Sequence, residues 1–201
     1  MVFPRKEEMS RSEEKAVPNR EECLGLMDQY GMLRNIVDHS LTVTRVACFL
    51  VKGLNKKGQR IDLDVVEAAA LLHDLAKTEC LHTKKDHAQQ GFRLLKSMGY
   101  ERVADVVAQH IEVFSEENPA SVTEEEVVNY ADKRVQHDRI VSLEQRFRDL
   151  KDRYGHVKSA LEQMARMEKA TYAIEEKIFH ILGSDPDDLQ RLQDDKRDEI
   201  R

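Results

Sequence analysis

The stretch Ala68–Glu79, AAALLHDLAKTE, decides how this chain is read. An unbroken apolar run ends in His73 and Asp74, and Lys77 follows one short step later. The run suits the buried face of a helix. The histidine and aspartate at its end admit two readings. One is a buried imidazole with a hydrogen-bond partner, and the other is a pair of adjacent metal ligands. A buried carboxylate is costly unless it is paired or bound to a metal, so the rest of the chain must supply its partners.

The 201 residues have room for one domain with a proper core and an appendage. Hydrophobic residues make up 40% and charged residues 35%, with 4 Pro, 8 Gly and no Trp, a balance that favours a helical protein. The formal charge of -6 argues against a long nucleic acid as partner, because a phosphate backbone demands a basic face. It leaves room for a local basic pocket that takes one small phosphate. The apolar runs are too short to span a bilayer. The first twenty residues have no apolar core of the secretion-signal kind. Cys23, Cys48 and Cys80 form no CxxC pair or disulfide framework and read as small buried residues in a reducing, cytoplasmic compartment.

Helical patterns account for most of the chain. Residues 1–18 read as a flexible tail. Asn19 with Glu22 is a capping box that opens a helix ended near Gly31, and a longer helix runs from Leu33 to about Leu54. Asp62 or Asp64 caps the helix that carries the opening stretch. The polar segment from Thr78 to His87 reads as a loop, as does the one from Ser115 to Val122 around Pro119. Helices resume from His87 and from Glu101, and Thr123 with Glu126 opens another, with charged helical sequence continuing to Gly155. Residues 156–183 read as one long amphipathic helix that packs on the domain or pairs with a second chain. The remainder, 184–201, is acidic and then mixed, and is expected to be partly disordered. No strand with convincing alternation is found, so the expected fold class is all-α.

His39 lies on the apolar side of its helix, four and seven positions before Val43 and Val46, and Asp132 follows the apolar residues Val127, Val128 and Tyr130. Alone, each has an ordinary structural explanation. Together with His73 and Asp74 they give two imidazoles and two carboxylates at the inner edges of helices. Such nitrogen and oxygen donors suit Fe, Mn, Zn, Co or Ni. The pattern His39, His73-Asp74, Asp132 resembles the H…HD…D motif of the HD-domain metal-dependent phosphohydrolases. The gaps are 34 residues from His39 to His73 and 58 from Asp74 to Asp132, and the contexts DHSLTVTRVA, AALLHDLAK and YADKR agree. The resemblance covers about Leu33 to Tyr154.

That resemblance implies an HD-domain helical bundle over residues 19–155, with the long C-terminal helix added. His87 in HAQQG and His110 in VAQH match the elements of the family's bimetallic members. The first metal is then expected on His39, His73, Asp74 and Asp132, and the second on His87, His110 and a bridging Asp74. Two divalent transition-metal ions are implied, with Mg as a further candidate. The implied activity is hydrolysis of a phosphoester or phosphoanhydride by a metal-activated hydroxide. The implied partner is a small phosphorylated molecule, a nucleotide or a dinucleoside polyphosphate. Asp74 and Lys77 are the expected catalytic residues, with Lys77 lining the phosphate pocket. The rival reading is a nucleotide-sensing module with little or no catalysis. His82, His137, His156 and His180 are left outside the site. Spacing alone reads Arg34, Arg45, Lys133 and Arg134 as solvated surface.

Overall fold

A helix that is apolar around most of its surface has to be covered on most sides, and α3, Leu63–Leu72, is such a helix. Val65, Val66 and every residue from Ala68 to Leu72 are buried. Its three alanines let neighbouring helices approach closely. Asp62 caps it, accepting from the amides of Asp64 and Val65. The computed structural model describes residues 16–81, 83, 85–113, 118 and 120–194.

Around α3 pack α1 (Arg20–Gln29), α2 (Arg34–Lys56), α6 (Glu101–Ala108) and α7 (Glu124–Lys133), while α5 (His87–Ser97) lies against α6. Both expected capping boxes form, at Asn19 with Glu22 and at Thr123 with Glu126. Helix α2 is 23 residues long and turns Val43, Val46, Ala47, Leu50 and Leu54 into the core. The expected 78–87 loop contains a short helical turn instead, α4 (Lys77–Cys80), whose Thr78 hydroxyl accepts from the Leu33 amide and ties the turn to the start of α2.

The continuous helix expected from 123 to 155 is broken. A two-stranded antiparallel hairpin, β1 (Val135–Gln136) with β2 (Arg139–Ile140), separates α7 from α8 (Leu143–Tyr154). His137 turns the hairpin at φ 58°, a left-handed conformation that His tolerates better than most side chains. Charge alternation hid the break, because no glycine or proline marks it. Helix α9 (Lys158–Leu182) ends as expected at Gly183, whose φ of 68° is the left-handed cap a Cβ would strain. Thr171, Ile174, Ile178 and Phe179 of its second half are buried, and the helix packs on α8, α7 and α2, while Val157 and Leu161 at its start stay exposed.

The segment after Gly183 begins with short helical turns. A 3-10 turn (Pro186–Gln190) and α10 (Arg191–Asp194) follow, anchored by a fully buried Leu189. Residues 1–15 and 195–201, together with His82 and Pro119, lie outside the described residues. The architecture is an all-α bundle with a long C-terminal helix and one small hairpin. Among the described residues, no helix is long and apolar enough to cross a membrane.

Candidate metal centre

Five segments of the bundle deliver side chains to one point. His39 comes from the second turn of α2, His73 and Asp74 from the end of α3, His87 from the first residue of α5, His110 from just past α6, and Asp132 from the last turn of α7. Asp74 Oδ1 lies 3.2 Å from His87 Nε2 and 3.8 Å from His110 Nε2, and Asp74 Oδ2 lies 3.4 Å from His73 Nε2. Asp132 Oδ1 lies 2.9 Å from His39 Nε2 and 3.8 Å from His73 Nε2. The imidazoles form a chain, with ring centroids 5.4 Å apart for His39 and His73, 5.1 Å for His73 and His110, and 5.2 Å for His110 and His87.

Backbone carbonyls orient three of these rings. His39 Nδ1–H donates to the His137 carbonyl at 2.8 Å, His73 Nδ1–H to Ala70 at 2.9 Å, and His110 Nδ1–H to Val107 at 2.7 Å. Each ring therefore turns its Nε2 lone pair inward, as neutral imidazole ligands require. His73 Nε2 and Asp74 Oδ1 are buried without any hydrogen-bond partner. Orphaned acceptors of this kind are costly in a protein interior, and a cation satisfies both. Two overlapping donor sets result, His39–His73–Asp74 and Asp74–His87–His110, each with its ligand atoms within 4.8 Å of one another. The donors are nitrogen and oxygen with no thiolate, which fits divalent first-row ions.

Electrostatics follow from burial. Burial favours the neutral acid at Asp74, yet His73 and Lys77 hold its carboxyl well below the usual range. At Asp132 burial is likewise outweighed, by Lys133 and His39. Burial opposes protonation of His73, but Asp74 and Asp132 raise its pKa. Burial, helped by His73, pushes His110 down to about 3.

His39, Asp74, His87, His110 and Asp132 open onto a cavity of about 530 Å³, with His73 buried behind them. The profile of the HD domain family matches residues 36–154, more than half of the chain and every segment that feeds the cluster. The chain belongs to the HD domain family. Family membership and the donor sets together make this an HD domain whose His and Asp residues could hold metal. It is similar to two curated proteins named tRNA (cytidine(56)-2'-O)-methyltransferase. One is from Thermoplasma volcanium, 26% identical over 87% of this chain and 51% of the relative. The other is from Picrophilus torridus, 29% identical over 88% of this chain and 51% of the relative. An uncharacterized protein of Methanocaldococcus jannaschii is 28% identical over 47% of this chain and 51% of its own length. The chain thus spans about half the length of the curated relatives it matches. No solved structure matches it significantly.

The HD domain gathers His39, His73, Asp74, His87, His110 and Asp132, and it places Lys77 beside them. Lys77 Nζ donates to Asp74 Oδ2 at 2.7 Å and lines the cavity. Three surface expectations need correcting. Lys133 and Arg134 are 3% and 1% exposed, because the hairpin, α8 and α9 cover the charged side of α7. Lys133 donates to Asp132 Oδ2 at 2.7 Å and to the His110 carbonyl at 3.0 Å. Arg134 donates to Glu175, Tyr130 and the Val141 carbonyl. Arg45 is also half-buried, whereas Arg34 is exposed beside Asp38.

His137, expected to turn away from the site, is brought back by the hairpin. It lies at the cavity wall and its carbonyl holds His39. His156 and His180 are exposed and lie apart from the cluster. Sequence reasoning missed Asn129 and Arg146. Asn129 donates to the His110 carbonyl at 2.9 Å, four positions before Lys133, which grips the same oxygen. That polar i, i+4 pair inside an apolar helix was a usable signal. Arg146 lines the cavity from α8, and nothing local in LEQRFRDL distinguishes it from its charged neighbours.

Proposed function

We propose that this HD domain is a metal-dependent phosphohydrolase that cleaves a phosphoester or phosphoanhydride of a small nucleotide-like molecule. The observation that carries the reading is the pair of donor sets sharing Asp74, with orphaned lone pairs, at the floor of a cationic cavity. His39, His73, Asp74 and Asp132 would hold one divalent ion, and Asp74, His87 and His110 a second. Such ions, when bound, lower the pKa of bound water and neutralise charge on a phosphoryl group.

The chain's own residues prepare that chemistry. The carbonyls of residues 70, 107 and 137 fix the imidazole tautomers. Lys133 and Asn129 hold the His110 backbone in place. Lys77 keeps Asp74 ionised and brings positive charge to the cavity wall. Leu33, Ile36, Leu81 and Ile111 give that wall apolar surface for the organic part of a substrate. A pure sensing module has no need of so many inward lone pairs, which favours hydrolysis over the regulatory reading.

The tRNA in the relatives' names favours a second reading, in which the phosphate is borne by RNA. The net charge of -6 weighs against it. Methyl transfer is not carried over, because the match covers about half of those proteins.

The test is elemental analysis joined to a substrate panel of nucleoside mono-, di- and triphosphates, dinucleoside polyphosphates and end-phosphorylated tRNA, with Mn2+, Fe2+ or Co2+ supplied. Release of phosphate or nucleotide by the wild type, lost in Asp74→Ala together with bound metal, supports the proposal. Full metal content and full activity in Asp74→Ala would sink it.

A further inference from the structure

We propose that Arg146 is the clamp for a terminal, dianionic phosphate, which makes the substrate a small phosphomonoester. The inference rests on the phosphohydrolase reading above and adds a residue and a substrate class to it. Five cationic side chains line the cavity, Lys77, Lys85, Lys133, Arg146 and Arg153, against the two carboxylates of the cluster. This local excess of positive charge stands out in a chain of net charge -6.

Three of these cations have close carboxylate partners. Lys77 lies 2.7 Å from Asp74, Lys133 lies 2.7 Å from Asp132, and Arg153 grips Asp149. Arg146 does not. Its Nη1 reaches Asp149 only at 3.5 Å, its Nη2 is 4.0 Å from Asp132 Oδ1, and its Nε is buried with no hydrogen-bond partner. The side chain is 12% exposed. A guanidinium carries five N–H donors in a planar fork that matches phosphate oxygens. A buried Nε–H left unmet is costly, and Nη2 of the same guanidinium lies 4.0 Å from a carboxylate of the donor cluster.

The charge and shape of the substrate follow. The phosphorus of a diester has two of its oxygens tied up in ester bonds and carries one negative charge. A monoester presents three unsubstituted oxygens and up to two charges. Those three serve both the metal donor sets and a bidentate fork. On the same helix, four and eight residues on, Leu150 and Tyr154 continue the cavity wall with apolar surface, joined by Met167 from α9. The esterified group would lie there. The volume of about 530 Å³ suits a small molecule.

The experiment uses full-length, metal-loaded protein, wild type and the variants Arg146→Gln and Arg146→Lys. Inorganic phosphate binding is measured by calorimetry. Hydrolysis of p-nitrophenyl phosphate is compared with that of bis(p-nitrophenyl) phosphate, and metal content is measured throughout. Loss of a charge-assisted bond predicts about 10- to 100-fold weaker phosphate binding in Arg146→Gln. It also predicts a similar fall in kcat/KM for the monoester, little change for the diester, and unchanged metal content. Arg146→Lys should recover part of the loss and remains a test should the Gln variant fail to fold. Phosphate binding within threefold of wild type in Arg146→Gln would overturn the proposal. So would equal losses for both esters, or no phosphate binding by the wild type. Should the wild type cleave neither ester, the hydrolase reading is what suffers, and the phosphate titration still decides what Arg146 does.

Discussion

Asp74 is the residue that both donor sets share, and its substitution should remove more than a single contact. Residues that merely orient metal ligands are worth about 10–100-fold in affinity or activity. Asp74→Ala should therefore lower hydrolysis by more than about 100-fold and reduce bound metal, read by turnover and elemental analysis. Arg134 offers a contrast, because it is equally buried but holds the fold. It links Tyr130, Glu175 and the Val141 carbonyl. Arg134→Leu leaves those partners unmet and should cost about 3–5 kcal/mol in urea denaturation, with metal content unchanged. The six proposed ligands were legible in the sequence because each stands in a recognisable local context. The supporting residues were not. Lys133 and Arg134 look like ordinary charges at the end of a helix, and only the cover provided by α8, α9 and the hairpin buries them.

Among the elements, helices with a cap and a clear apolar stripe were readable, and α1, α3 and α7 start at the capping residues their sequences suggest. The hairpin was not readable, since Val135–Ile140 contains no turn-forming glycine, asparagine or proline. Its turn is held by tertiary partners, among them His39 Nδ1–H on the carbonyl of His137. The short helical turns after Gly183 were not readable for a similar reason, since one buried leucine in an acidic segment is a weak signal. The end of α9 gives a direct test. Gly183 sits at φ 68°, so Gly183→Ala should destabilise by about 1 kcal/mol, a shift in Tm of roughly 2–4 °C, with the cluster undisturbed.

For the whole molecule, the cluster makes stability depend on both acid and metal. Asp74 and Asp132 lie well below the ordinary carboxylate value, and His110 lies near 3. Below about pH 6.5 an unfolded histidine takes up a proton that folded His110 refuses, and below about pH 4 the two carboxylates repeat the effect. His73 has a raised value, so it is protonated in both states below about pH 6.5 and adds no slope there. The metal-free protein should thus lose stability as pH falls from about 6.5, more steeply below 4, in urea midpoints taken across the range. A divalent ion at about 100 times its Kd should add about 2.7 kcal/mol at neutral pH, seen as a Tm several degrees above that of chelated protein. The donors also come from chain positions as far apart as 39 and 132. A filled centre would act as a cross-link that closes several long loops at once, so none of α2, α3, α5 and α7 could open alone without releasing a ligand. Amide hydrogen exchange on loaded protein should then show α2, α3, α5 and α7 as one slow cooperative unit. The exposed turn around Val157 and Leu161 lies outside that lacing and should exchange early, whether or not metal is bound.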